Sequence, residues 1–393
     1  MATVTQNETS NGTSNGASNG TTNGTANGAS VPRRIFLFTH GRTASNLLMT
    51  LFAKQPQLAI TDYNFHNAYM FGPERLMTPA QNMKEILPPE RLKACEKASY
   101  QSGFDGLQEF ITKAEAEVSM TSSHTCVASL TLLLWQGKIP FVKEHSQFIL
   151  NPKIVAENRP NPAIHQVPAK PIVVDHSTPQ SNGTVDPSTS SATSTNPTVL
   201  PDSFLETMSP IIVIRHPARM IPSYYRAIQE SNLDIDINDG DFPIQATFRW
   251  SRLIFDWYAQ DVCGTASLPG PYKKSERTSP SWPIVVDGDD LINDNNVAQD
   301  LCKQLEIDPQ HLQLSWDTTP EEQKKKQGPV ITRFLSTIQK STGIIKSGKT
   351  DDLDLEKERE KLVEQFGEEL GNMLMGFIKR AMPDYMFLRE YRI

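Results

Sequence analysis

The chain has 393 residues, and its 38 Lys and Arg against 45 Asp and Glu give a formal net charge of -7. This acidic balance argues against a nucleic-acid partner, because nucleic-acid-binding proteins usually carry a basic excess. Hydrophobic residues make up 38% of the chain and charged residues 21%, as in ordinary globular proteins, and no apolar run is long enough to suggest a membrane span.

A low-complexity tail opens the chain. Residues 1–31 are mostly Asn, Gly, Thr and Ser, with Glu8 as the single charged side chain. Such a segment cannot bury apolar surface, so we predict a disordered tail. It lacks the basic and apolar regions of a secretory signal, so we expect a cytoplasmic protein.

One domain is predicted over residues 32–393, with a disordered insertion rich in Pro, Ser and Thr at about 158–201. The four cysteines are scattered without a C-x-x-C pair. Their spacing favours neither a disulfide framework nor a metal site.

Short apolar runs alternate with helical patterns along this domain. The runs predict buried strands at Arg34–Thr39, Pro140–His145, Ile211–Ile214 and Pro283–Asp287. Helices are predicted after Ser45, over Pro89–Trp135 with a break near Ser102, after Arg219, around Ile244–Gln260, around Asn295–Leu305 and over Leu355–Met382. The alternation predicts an α/β fold whose mostly parallel sheet has helices on both faces.

The first informative motif follows the first strand. A tight turn, HGRTA, leads into a helix that starts near Ser45. Exposed N–H groups at a helix start favour an anion, and the side chains of Arg42, Ser45 and Asn46 add donors. The alternative is a plain strand–helix turn capped by Ser45. The turn is not a Walker A motif, because the second glycine and the lysine are missing.

The second motif pairs an arginine with a serine. Arg215 lies just past the IIVI strand, at the sheet end where open α/β folds bind ligands. Ser223 is eight residues further on, near the predicted start of a helix at Pro222. The two side chains could hold one phosphate; the alternative is a structural salt bridge and a helix cap.

The third motif closes the strand PFVKEH. Period-two alternation puts Lys143 and His145 on one side and Glu144 on the other. Histidine is the natural general base near neutral pH, and the lysine could neutralise charge on a transferred group. A lone histidine can equally be structural.

Taken in order, the three segments resemble the family of sulfotransferases that use 3′-phosphoadenosine-5′-phosphosulfate (PAPS). The resemblance rests on the loop Gly41–Asn46, on R-H-P followed by S-Y-Y, and on K-E-H. It implies a P-loop-type, nucleotide-kinase-like fold and transfer of a sulfuryl group from PAPS, without a metal, to a hydroxyl or amine of a small molecule. The pattern is more similar to divergent fungal and bacterial members than to animal cytosolic enzymes.

The resemblance also implies roles for individual residues. The catalytic group would be His145, Lys143 and Arg42. His145 would take the acceptor proton, and Lys143 would steady charge on the transferred sulfuryl group or on the leaving oxygen. The 5′-phosphosulfate would lie on the loop residues Arg42, Thr43, Ala44, Ser45 and Asn46, and the 3′-phosphate on Arg215 and Ser223.

The chain departs from the family pattern at three places. Ala44 stands where the family loop has glycine, and Asp287–Gly288 stands where it often has tyrosine. The late R-K-G loop has no clean match, so Lys346 and Lys349 are the candidates for a second 3′-phosphate clamp; the alternative is a solvated loop.

The acceptor is not named by the sequence. His66 is a candidate second base or acceptor-pocket residue, and a pocket could be lined by Tyr63, Phe65, Tyr69, Phe71 and Trp135. Core packing explains these aromatic residues equally well. Two other functions stay open, a P-loop kinase or NTPase and a non-catalytic nucleotide-binding descendant, and so does the oligomeric state.

Overall fold

The computed structural model describes residues 33–75, 87, 89–117, 137–157, 173–175, 195–231, 233, 235–238, 241–262, 282–348, 350 and 353–393. The predicted tail, Trp135, Lys349 and most of the predicted insertion lie outside these residues. The domain boundaries therefore stay a prediction.

The described residues form one five-stranded sheet in which every paired strand is parallel. The strands are β1 (Ile35–Thr39), β2 (Leu58–Asp62), β3 (Ile139–His145), β4 (Ser209–Ile214) and β5 (Ile284–Asp287). Their order across the sheet is β2-β3-β1-β4-β5. The carboxyl ends of β1, β3 and β4 therefore lie side by side, at the edge where such sheets bind ligands.

Helices connect the strands and continue to the C-terminus. They are α1 (Ser45–Phe52), α2 (His66–Met70), α3 (Pro89–Cys95), α4 (Tyr100–Ala116), α5 (Pro152–Glu157), α6 (Asp202–Leu205), α7 (Pro217–Glu230), α8 (Asp241–Gln245), α9 (Arg249–Trp257), α10 (Gly288–Asn293), α11 (Asn295–Gln304), α12 (Glu321–Gln327), α13 (Pro329–Phe334), α14 (Ser336–Lys340), α15 (Leu355–Phe366) and α16 (Glu368–Glu390). None of the helices in the described part of the chain combines the length and apolar character needed to cross a membrane.

Both faces of the sheet are covered, as predicted. Successive residues of β1 point to opposite faces: Phe36 and Phe38 belong to one buried cluster, and Ile35 and Leu37 to the other. The first cluster includes residues of α4, α7, α9 and α16, and the second includes residues of α1 and α11. The α/β class predicted from the sequence is confirmed.

Several element boundaries differ from the sequence prediction. The long helix predicted from Pro89 does not break near Ser102; it ends at Cys95, and α4 starts after Ser99, which forms a capping box with Ser102. The predicted C-terminal helix is two helices, divided at Gly367, whose φ of 84° is left-handed.

Candidate active site

The turn between β1 and α1 has an unusual backbone. Arg42 and Ala44 have φ angles of 67° and 65°, in the left-handed region. Ala44 is the residue before α1 and gives it no side-chain cap, so the alternative in which Ser45 caps the helix is wrong. Left-handed turn residues beside an uncapped helix start present backbone N–H groups in the way that suits an anion.

A close backbone contact supports this turn from the β5 side. A Cβ atom on Gly288, the first residue of α10, would lie 2.2 Å from the carbonyl oxygen of Thr43. The buried hydroxyl of Thr43 donates to the carbonyl of His40 across 2.8 Å. Only glycine at position 288 lets α10 approach the turn this closely.

Arg42 points toward α7 and α13. Its Nε donates to Ser223 Oγ across 3.0 Å, and its Nη1 donates to the carbonyl of Phe334 across 2.6 Å. Burial and, after it, the neighbouring charges of Arg333, Arg215 and Arg226 together lower the pKa of Arg42 to about 10. We call Arg42, Arg215, Arg226 and Arg333 the arginine group.

Few carboxylates oppose the arginine group. Arg333 forms a 2.5 Å ion pair with Glu230, and Arg215 forms a 2.9 Å ion pair with Asp289. Four guanidinium groups therefore meet two carboxylates in these contacts. Sequence reasoning missed Arg226, although it directly follows the S-Y-Y segment, and it missed Arg333, which belongs to none of the three motifs.

Arg215 ties three segments of the chain together at the end of β4. Besides its bond to Asp289 Oδ1, its Nη1 donates to the carbonyl of Arg42 across 3.2 Å. The second oxygen of Asp289 accepts the backbone N–H of His216 across 3.2 Å. The salt bridge considered from the sequence is thus present, and these two bonds use two of the five N–H donors of the guanidinium group.

Ser223 lies inside α7 rather than at its start. The helix begins at Pro217, is capped by His216, and continues through Pro222. The predicted helix start at Pro222 is wrong because both prolines fit a first turn and the earlier one follows a capping residue. Ser223 nevertheless reaches the Arg42 guanidinium, so Arg42, Arg215 and Ser223 lie together.

Lys143 is buried on the other side of the turn. Its Nζ donates to Asn46 Oδ1 and lies 4.4 Å from the centre of the Tyr63 ring. Burial lowers the pKa of Lys143 to about 8. Asn46 on α1 thereby connects the turn to β3.

His145 lies on the same side of β3 as Lys143, as predicted, and contacts two hydroxyl groups. Its Nδ1 is 2.7 Å from Thr39 Oγ1, and its Nε2 is 3.3 Å from the Tyr63 hydroxyl. Burial and then the charge of Lys143 hold the pKa of His145 well below its ordinary value, which keeps the imidazole neutral. Glu144 points to the opposite face, where its Oε1 accepts the backbone N–H of Phe65.

An aromatic cluster borders His145. Phe148, which sequence reasoning missed, meets the rings of His145, Tyr69, His66 and Tyr63 at centroid distances of 4.9, 4.9, 5.3 and 5.9 Å. The structure brings His66 and two of the predicted pocket residues to this place, beside the candidate base.

The other residues predicted for the acceptor pocket lie differently. The Phe71 ring meets His66 at 6.1 Å. Phe65 is fully buried and stacks on Tyr100 at 6.3 Å, on the side of Glu144, so it belongs to the core. Burial lowers the pKa of His66.

Lys346 is exposed, and no contact in the described structure links it to the arginine group. Lys349 lies outside the described residues. Their role as a second phosphate clamp stays a prediction, and Arg333 occupies the neighbourhood of Arg42 instead.

The chain is similar to two fungal proteins named sulfotransferase ppzF. It is 29% identical over 371 residues to the protein of Metarhizium majus (strain ARSEF 297), which covers 92% of this chain and 97% of that protein. It is 29% identical over 368 residues to the protein of Metarhizium rileyi (strain RCEF 4871), which covers 92% of this chain and 96% of that protein. No protein-family model matches the chain, and no solved structure does.

Proposed function

Because this chain belongs to the divergent sulfotransferase-like proteins of fungi, we propose that it transfers a sulfuryl group from PAPS to a hydroxyl or amine of a small molecule. The names of the two relatives state neither the donor nor the acceptor class, so both are part of what we propose.

One observation carries the proposal. A single backbone turn separates a cationic group from an acid–base group: Arg42 in the turn contacts Ser223, while Asn46 after the turn contacts Lys143. Sulfuryl transfer needs both, because the donor is an anionic nucleotide and the acceptor must lose a proton.

The residues present fit a nucleotide with two separate anionic groups. The arginine group supplies more positive charge than Glu230 and Asp289 neutralise, and the left-handed turn supplies backbone N–H groups beside it. PAPS, when bound, supplies the activated sulfuryl group.

The contacts change one assignment made from the sequence. Since the Arg42 guanidinium bonds to Ser223, we assign Arg42 with Arg215 and Ser223 to the 3′-phosphate. The backbone and side chains of residues 43–46, including Thr43, Ala44, Ser45 and Asn46, remain for the 5′-phosphosulfate. Lys143 would neutralise charge on the transferred group, and His145 would accept the proton of the acceptor.

A thermal-shift comparison tests the donor without knowledge of the acceptor. We expect 3′-phosphoadenosine 5′-phosphate to raise the Tm more than ADP or GDP at equal concentration, because at a given concentration the ligand with the lower Kd stabilises the folded state more. Arg333→Gln should reduce this shift, whereas Lys54→Gln, a matched loss of one charge at an exposed position just past the end of α1, should leave it unchanged. Equal shifts with ADP, together with magnesium-dependent ATP turnover, would instead support an NTPase.

A further inference from the structure

The last residue of β1 faces the candidate base. Thr39 pairs with His145 in the parallel register of β1 and β3 and is fully buried. Its hydroxyl oxygen is 2.7 Å from His145 Nδ1 and 3.1 Å from the carbonyl oxygen of Glu144. No sequence motif marks Thr39, which reads only as the end of a strand.

A threonine hydroxyl has one proton, and the Glu144 carbonyl can only accept a hydrogen bond. If the hydroxyl donates to the carbonyl, His145 must donate its Nδ1 proton to Thr39, and Nε2 is then unprotonated. If the hydroxyl donates to Nδ1, Nε2 carries the proton and cannot act as a base.

The contact on the far side of the ring favours the first arrangement. The Tyr63 hydroxyl lies 3.3 Å from Nε2. If Tyr63 donates to Nε2, Nδ1–H donates to Thr39 and Thr39 donates to the Glu144 carbonyl, each of the three hydrogen bonds has its own proton. If the donors and acceptors are reversed, no proton is left for the contact between Thr39 and the carbonyl.

Tyr63 is held firmly in this position. Its φ of 57° is left-handed, which is uncommon for a bulky residue. Its backbone N–H donates to the carbonyl of Lys143 across 2.9 Å, and its ring lies under the Lys143 ammonium group at 4.4 Å. The chain of contacts is therefore fixed at its tyrosine end as well as at the buried threonine.

We infer that Thr39 is a positioning residue that holds His145 in the tautomer whose Nε2 can take a proton. The role of that proton rests on the proposed function: it comes from the acceptor hydroxyl or amine, which replaces Tyr63 as the partner of Nε2. The imidazolium that results donates its Nδ1–H to Thr39, as the neutral ring did, so the ring need not move during the transfer.

Because Thr39 is buried, water has little access to the place of its hydroxyl group. With Thr39 fully buried, water does not readily supply the missing acceptor for Nδ1 after its hydroxyl is removed. A hydrogen bond of this kind shifts an equilibrium between two forms about fivefold. Without it, we expect the ring to change to the Nε2–H tautomer, which histidine in water prefers.

Nitrogen-15 NMR of histidine-labelled protein tests the inference directly. Two-bond proton–nitrogen correlations distinguish the two tautomers, and the His145 signals are identified by their absence from His145→Gln. We expect the Nδ1–H form in the wild-type protein and in Thr39→Ser, which keeps the hydroxyl. We expect a largely Nε2–H ring in Thr39→Val, which has the same shape without the hydroxyl.

An Nε2–H ring in the wild-type protein would overturn the inference, and so would an unchanged tautomer in Thr39→Val. If Thr39→Val does not fold, the wild-type and Thr39→Ser spectra still decide the question. The thermal shift with 3′-phosphoadenosine 5′-phosphate, measured on the same samples, separates the two proposals: its absence would count against the donor nucleotide and leave the tautomer result standing.

Discussion

Removing Asp289 should destabilise the fold through the charge that it leaves behind. The Asp289 side chain is 1% exposed and its partner Arg215 is 16% exposed. Removing one member of a buried ion pair costs about 3–5 kcal/mol. Because Arg215 keeps some contact with water, we expect the lower end for Asp289→Ala, about 3 kcal/mol in the free energy of unfolding.

The isosteric variant should cost less. Asp289→Asn keeps an oxygen for the His216 N–H and loses only the charge, so we expect about half the effect, about 1.5 kcal/mol. The double variant Asp289→Ala, Arg215→Met removes both charges. It should be more stable than Asp289→Ala alone, because no unpaired charge stays buried.

Urea unfolding followed by tryptophan fluorescence gives these free energies, with the slope checked for each variant. An Asp289→Ala protein within about 0.5 kcal/mol of the wild type, the range of ordinary surface substitutions, would refute the reasoning. A double variant no more stable than the single one would refute it as well, since the cost would then come from lost packing rather than charge.

Two further predictions concern Lys143 and Gly288. The buried Lys143 has a pKa of about 8 and is charged below it, so kcat/KM for PAPS should fall as the pH rises through about 8. Lys143→Arg stays charged and should not show this decline when initial rates of nucleotide product formation are measured. A decline that persists in Lys143→Arg would contradict the assignment. Gly288→Ala should lower stability by about 1–3 kcal/mol in urea unfolding, because its Cβ would meet the Thr43 carbonyl oxygen at 2.2 Å. Gly348→Ala, where the added Cβ meets nothing within 4 Å, is the control, and equal losses in both would contradict the close contact.

The strands that sequence reasoning found are those buried on both faces. β1, β4 and β5 are continuous apolar runs, which a buried parallel strand requires. β2 was missed because its sequence, LAITD, buries only Leu58, whereas β5, the other edge strand, buries all four of its residues. The helical spacing of apolar residues continues across Gly367, so the pattern alone predicted one helix where there are two.

The location of the site could be predicted from the sequence, but most of its side-chain contacts could not. Parallel strands end at one edge of the sheet, so the motifs after β1, β3 and β4 had to lie near one another. Which way a long side chain turns depends on packing: Arg42 reaches Ser223 on α7, a contact 181 residues away in the chain. The pairing of Thr39 with His145 depends on strand register, which the short runs do not specify.

The two left-handed residues of the turn, Arg42 and Ala44, have a consequence for selectivity. A non-glycine residue at such angles raises the free energy of the folded chain by about 1–2 kcal/mol. Contacts such as that of Gly288 with Thr43 offset this strain when the protein folds. The backbone amide groups of the turn are therefore already oriented when an anion binds, so little binding free energy is lost in ordering a flexible segment. Because the turn is rigid, it adapts poorly to an anion of a different size. We therefore expect it to select anions by shape as well as by charge.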